Sequence, residues 1–121
     1  MKRVTTLLMA LLVGGLLQGC GLQGTPLTDQ QMPYAGTWEN EQEASAAIYL
    51  QITPDGMVNY QRQEGTSKVS INAPIKKWEG NDFWVGAMGV ATRFRVSQPP
   101  TQEGDVWVMV VDDHRLLKYA D

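Results

Sequence analysis

From Tyr34 onward, apolar positions fall in short runs separated by turn residues, and several runs alternate with polar positions. Ala46, Ile48, Leu50 and Ile52 alternate with Ala47, Tyr49, Gln51 and Thr53, the period of two that marks a strand with one buried face. Gly36-Thr37-Trp38 opens a strand ahead of it. Pro54-Asp55-Gly56 turns the chain into Met57-Val58-Asn59-Tyr60-Gln61, which completes a hairpin. Glu64-Gly65-Thr66 turns again toward Val69 and Ile71. Ala73-Pro74 predicts a break, with a separate short strand from Ile75 to Glu79. Gly80-Asn81-Asp82 leads into Phe83-Trp84-Val85, and the small residues from Gly86 to Gly89 predict a bulge or sharp bend. Thr92, Phe94 and Val96 alternate with Arg93 and Arg95.

The segment Gln98 to Gly104, with Pro99 and Pro100, predicts the longest loop. Val106 to Val111 is apolar on both faces, and Asp112-Asp113 turns into a last strand from Arg115 to Tyr119. Only Glu41 to Ala47 offers a helical turn, on its Glu and Ala content. The expectation is an all-β chain: a single antiparallel meander of about eight strands, closed or partly closed into a small barrel. A two-sheet sandwich is the other way to remove exposed edges.

The first 19 residues follow another pattern. Lys2 and Arg3 precede an apolar run from Leu7 to Val13, too short for a membrane-spanning helix, which needs about 20 apolar residues. The run closes on Leu17-Gln18-Gly19-Cys20, which resembles the bacterial lipobox. That resemblance implies cleavage before Cys20 and its lipidation, and Gly21 in place of an Asp implies sorting to an outer membrane, facing the periplasm. Residues 20–33, rich in Gly, Gln and Thr, read as a flexible tether, and residues 34–121 as one domain. Cys20 is the only cysteine, so no internal disulfide forms. The formal charge is −3, and −5 once Lys2 and Arg3 are removed. An acidic domain has no footprint for nucleic acid and gains nothing from anionic lipid, so attachment falls to the anchor.

Gly36-Thr37-Trp38 at the head of such a meander resembles the opening of calycin barrels, the group of lipocalins, fatty-acid-binding proteins and avidins. The resemblance implies that Trp38 caps one barrel end under a basic side chain of the last strand, Lys118 or alternatively Arg115. The size and address also resemble the small β-barrel lipoproteins that inhibit lysozyme. Gly86-Ala87-Met88-Gly89, the nearest segment to their inhibitory loop, lacks its Ser and Tyr.

Chemistry for catalysis is sparse. His114 is the only histidine and falls in a turn beside Asp112 and Asp113; Ser45, Ser67, Ser70 and Ser97 lack a nucleophile-elbow context. Asp55, Asn81-Asp82 and Asp112-Asp113 lack the spacing that gathers six or more oxygens around Ca²⁺, and no zinc or phosphate motif is present. Neither a metal nor another cofactor is expected. Trp38, Trp78, Trp84 and Trp107, with Met57, Met88 and Met109, form a large apolar payload. Trp78 and Trp84 are the candidates for a ligand or partner surface. The functional expectation is a non-catalytic binding or protein-interaction module, tied to the membrane by its lipid and meeting an envelope protein. The alternatives are a carrier of a small lipophilic ligand and an enzyme inhibitor.

Overall fold

The computed structural model describes residues 24–41 and 45–119. The apolar run, Cys20 and part of the Glu41–Ala47 segment lie outside them. A 3-10 helix, Met32–Tyr34, leads into nine strands: β1 (Gly36–Asn40), β2 (Ala47–Ile52), β3 (Met57–Glu64), β4 (Ser67–Glu79), β5 (Asp82–Ala87), β6 (Val90–Phe94), β7 (Val96–Glu103), β8 (Val106–Val111) and β9 (His114–Tyr119). All neighbours are antiparallel, in the order β6-β5-β4-β3-β2-β1-β9-β8-β7. The meander therefore curls until its last strand pairs with its first, forming a half-barrel.

The two sheet edges, β6 and β7, are consecutive in the chain and separated only by Arg95. Side chains stitch this seam where no ladder does. Asp82, heading β5, accepts Val96 N–H at 2.7 Å and both Nε and Nη2 of Arg93, at 3.1 and 2.8 Å. Asp112 accepts the Arg95 N–H at 3.1 Å, and its own N–H donates to the Arg95 carbonyl at 2.8 Å.

Alternation sets the core. Ala46, Ile48, Leu50 and Ile52 are all buried, as are Trp38, Val58, Val85, Met109 and Leu116. Phe83 stacks on Phe94 at 5.1 Å between centroids, and Phe94 meets Tyr60 edge-on at 5.0 Å. Such aromatic pairs are worth roughly 0.5–1.5 kcal/mol each beyond their buried area.

Three expectations differ from the structure. Ala73-Pro74 does not break the chain: β4 runs through it, pairing with β3 up to Pro74 and with β5 from Ile75, with a bulge between Ile75 and Lys77. A residue without an N–H is tolerated where the strand changes partner. Gln98 to Gly104 is not a loop, because Pro99 and Pro100 lie inside edge strand β7, whose register shifts around them. Part of the segment expected as tether up to residue 33 rests on the domain: Gly24 lies against Gly56, while Thr25, Pro26 and residues 28–30 are exposed. Leu27 is buried in the core, its N–H bonds the Pro54 carbonyl at 2.9 Å, and the 3-10 helix follows.

Candidate functional site

One end of the fold is organised around the head of β1. Trp38 is fully buried (0% exposed) and its indole Nε1 donates to the Tyr34 carbonyl at 2.9 Å. Lys118, on β9, places Nζ 4.8 Å from the Trp38 ring centroid and 5.4 Å from that of Trp107. The same ammonium donates to the carbonyls of Pro33 at 2.7 Å and Ala35 at 2.6 Å, so it ties the helix to the barrel. Gly36 makes this passage possible: its φ is 128°, and a Cβ there would stand 2.5 Å from Lys118 Cδ. Arg115, the alternative basic residue, is exposed and faces Glu41 and Glu103 at 3.5 Å.

Tyr34 carries the arrangement inward. Its ring meets Trp78 edge-on at 4.8 Å and Phe83 at 6.1 Å, and its hydroxyl donates to the Asn81 carbonyl at 3.1 Å. Burial pushes the phenol above its ordinary pKa, and the Asp82 carboxylate adds to the shift. Tyr34 is a residue the sequence reading left unassigned. The only signal for it was its place just before Gly36-Thr37-Trp38.

Trp78 and Trp84 do not form one surface. Trp78 pairs with Phe83 and the preceding Lys77 with Trp84, so the two indoles point to opposite faces of the sheet. Trp78 packs against the core, 5.3 Å from Phe83. Trp84 lies on the outer face, with Lys77 Nζ 5.1 Å and Arg93 Cζ 5.6 Å from its centroid, and donates Nε1 to Glu79 at 3.3 Å. Of the methionines singled out, Met109 is fully buried, Met57 half-buried and Met88 exposed.

A concavity of about 690 Å³ opens where β1, β2, β3 and β4 adjoin. Glu39, Glu41, Arg62 and Lys68 bring charge of both signs to it, with Asn40, Gln61 and Gln63, while Ile48 and Val69 supply apolar patches. Arg62 is held by Glu64 at 2.8 Å. Such a lining suits a polar, charged partner surface better than a lipid tail. Nothing in the sequence marked it, because its residues come from four strands and alternate between faces.

The remaining candidates stand apart. His114 opens β9 opposite Val111, and among the described residues no hydrogen bond or ion pair joins it to a serine or a carboxylate. Ser45, Ser67, Ser70 and Ser97 are exposed. Asp55 accepts from Thr53 within its own turn, and Asp82 and Asp112 serve the β6–β7 seam. Among the described residues no three His, Cys, Asp or Glu side chains come together as a metal site. No protein-family model, no curated protein and no solved structure matches this chain.

Proposed function

We propose that the chain is a lipid-anchored lipoprotein of the bacterial envelope, held by Cys20 at the periplasmic face of an outer membrane. In this reading its all-β domain is a non-catalytic module that binds another envelope protein. The anchor rests on Leu17-Gln18-Gly19-Cys20 behind a short apolar run. The described residues include no helix long and apolar enough to cross a membrane.

The observation that carries protein binding over ligand carriage is the state of the interior. Trp38, Phe83, Phe94, Leu50, Met109 and Leu116 fill it with their own bulk, while the concavity meets the core only at Ala46 and Ile48 and mixes charged and polar groups with a few apolar ones. The Gly36, Trp38 and Lys118 arrangement supports a calycin-like barrel as architecture without supporting a calycin-like cargo. The absence of a Ser and a Tyr around Gly86-Ala87-Met88-Gly89 weakens the lysozyme-inhibitor alternative.

Two measurements test this reading. Cys20→Ser is expected to accumulate as uncleaved precursor without acyl label; normal maturation of that variant would remove the anchor. Native mass spectrometry of the mature protein, released gently from its envelope, is expected to show it bare or with a protein partner. A retained lipophilic mass of about a few hundred daltons would overturn the filled interior and favour a carrier.

A further inference from the structure

We propose that the β5–β6 hairpin tip is a second membrane contact, seated in the headgroup region of the bilayer beside the anchor. This rests on the lipid-anchor reading above.

The tip is apolar and points outward. From Gly86 to Ala91 no side chain is polar, and Met88 is 95% and Val90 71% exposed. Single exposed apolar residues are ordinary on a protein surface; two within three positions at the end of a projecting hairpin are a patch. Met88 also has a φ of 57°, in the left-handed region where Asn, Asp or Gly is the usual occupant of such a turn. A strained apolar side chain that the fold leaves in solvent returns nothing to folding stability, which directs attention to a contact outside the domain. Gly86 pinches the hairpin at its base, since a Cβ there would stand 1.9 Å from the Val90 carbonyl oxygen.

The tip also leaves the fold near the point where the chain runs back toward Cys20. Gly24 lies against Gly56, a Cβ at Gly24 being 2.6 Å from the Gly56 oxygen. That oxygen accepts the Ile75 N–H at 2.9 Å, Ile75 pairs with Val85, and the tip begins at the next residue. Gly24 is four residues from Cys20, and a chain of four residues spans at most about 14 Å. An acylated Cys20 therefore holds this corner of the domain close to the headgroups.

Charge favours the same face. The sector from β4's second half to the seam bears Lys76, Lys77, Arg93 and Arg95; Glu79 and Asp82 pair with Arg93 and Asp112 bonds the Arg95 N–H, while Lys76 and Lys77 are exposed, in a chain whose net charge from Cys20 on is −5. Basic groups beside an apolar tip are drawn to anionic headgroups, and Trp84, between Lys77 and Arg93, is amphipathic in the way interfacial side chains are.

The test uses the full chain, matured and reconstituted in phosphatidylethanolamine–phosphatidylglycerol vesicles. With Cys20 acylated, Met88→Cys provides the one free thiol for an environment-sensitive fluorophore, and Thr66→Cys, on the exposed β3–β4 turn, is the control. The label at position 88 is expected to shift to the blue and to be quenched about twofold or more by nitroxides on the acyl chains, with the control unaffected. Equal, water-like emission from both positions on a protein whose mass shows the acyl chains would overturn the proposal and leave the anchor standing. A blue shift in native envelopes without nitroxide quenching would place the tip in a protein pocket and also overturn it. A missing acyl mass on Cys20 would fail the anchor reading itself, and this inference with it. Met88→Asn gives an independent check: Asn suits the left-handed turn, so the melting temperature is expected to hold or rise. A fall would show that Met88 serves the fold, contrary to the proposal.

Discussion

Trp38 and Trp84 make similar contacts in different surroundings. Each indole lies near a cation, at 4.8 Å from Lys118 in one case and 5.1 and 5.6 Å from Lys77 and Arg93 in the other, and each donates its N–H. Trp38 is sealed from water and its cation is itself bound by two carbonyls; Trp84 sits half-buried on the outer face, with Lys77 exposed and Arg93 paired to Asp82. A cation over an indole is worth about 2 kcal/mol or more when desolvated and about 0.5–1 kcal/mol when exposed. Burial, more than geometry, decides which of the two holds the molecule together.

The sharpest break in that contrast is Trp38→Ala, which removes a fully buried indole and leaves Lys118 above a cavity. A loss of about 3–5 kcal/mol is expected in urea denaturation, and a loss near that of an exposed site would place β1 outside the cooperative core. Lys118→Met keeps the stem and removes the ammonium, with its two bonds to the helix carbonyls; about 1.5–3 kcal/mol is expected. Arg115→Ala on the same strand is expected to cost less than about 1 kcal/mol, as exposed ion pairs do. Equal losses at the two positions would show that burial of the ammonium is not what matters. Trp84→Ala is expected to cost about 1 kcal/mol, the share of an exposed cation–π pair.

The smallest effect at neutral pH is expected from Asp82→Asn at the seam. The Val96 N–H, and after it Arg93, hold the Asp82 carboxyl below the usual carboxylate range. The unfolded chain protonates this group near about 3.9, so the stabilisation is present above that pH and is lost as the pH falls through the lower, folded value. The variant should be less stable than the parent at pH 7, and the gap should close below about pH 4 in paired denaturation series. A gap independent of pH would mean that the charge does not contribute.

Much of the fold was legible because period-two burial is local. Ile48, Leu50 and Ile52 declare a buried face without reference to the rest of the chain, and Asp112-Asp113 marks a turn by tolerating positive φ, as both residues do. The two misread proline segments share a cause: what each tolerates depends on how strands pair across the whole sheet. Pro99 and Pro100 exclude a central strand but not an edge strand, and β7 is an edge because it pairs with β8 and not with the preceding β6. Pro74 is tolerated because β4 exchanges partners beside it, a property of the whole sheet. The candidate surfaces were harder still. A sequence shows four tryptophans alike, whereas only the register separates inward Trp78 from outward Trp84. The mixed-charge concavity exists only after β1 to β4 have been laid side by side.

The place of β9 has a consequence for the order in which the molecule can be completed. The last strand is an interior one, with β1 on one side and β8 on the other. A chain delivered N-terminus first therefore presents β1 with an unpaired edge until β9 follows β8, and the Lys118 that fastens the helix arrives with it. Closure joins distant parts of the sequence and is correspondingly slow in entropy-limited terms. Loss of β9 alone would leave β1 and β8 each without a partner on one side, so a chain cut before His114 should fail to lock and not give a shortened working domain.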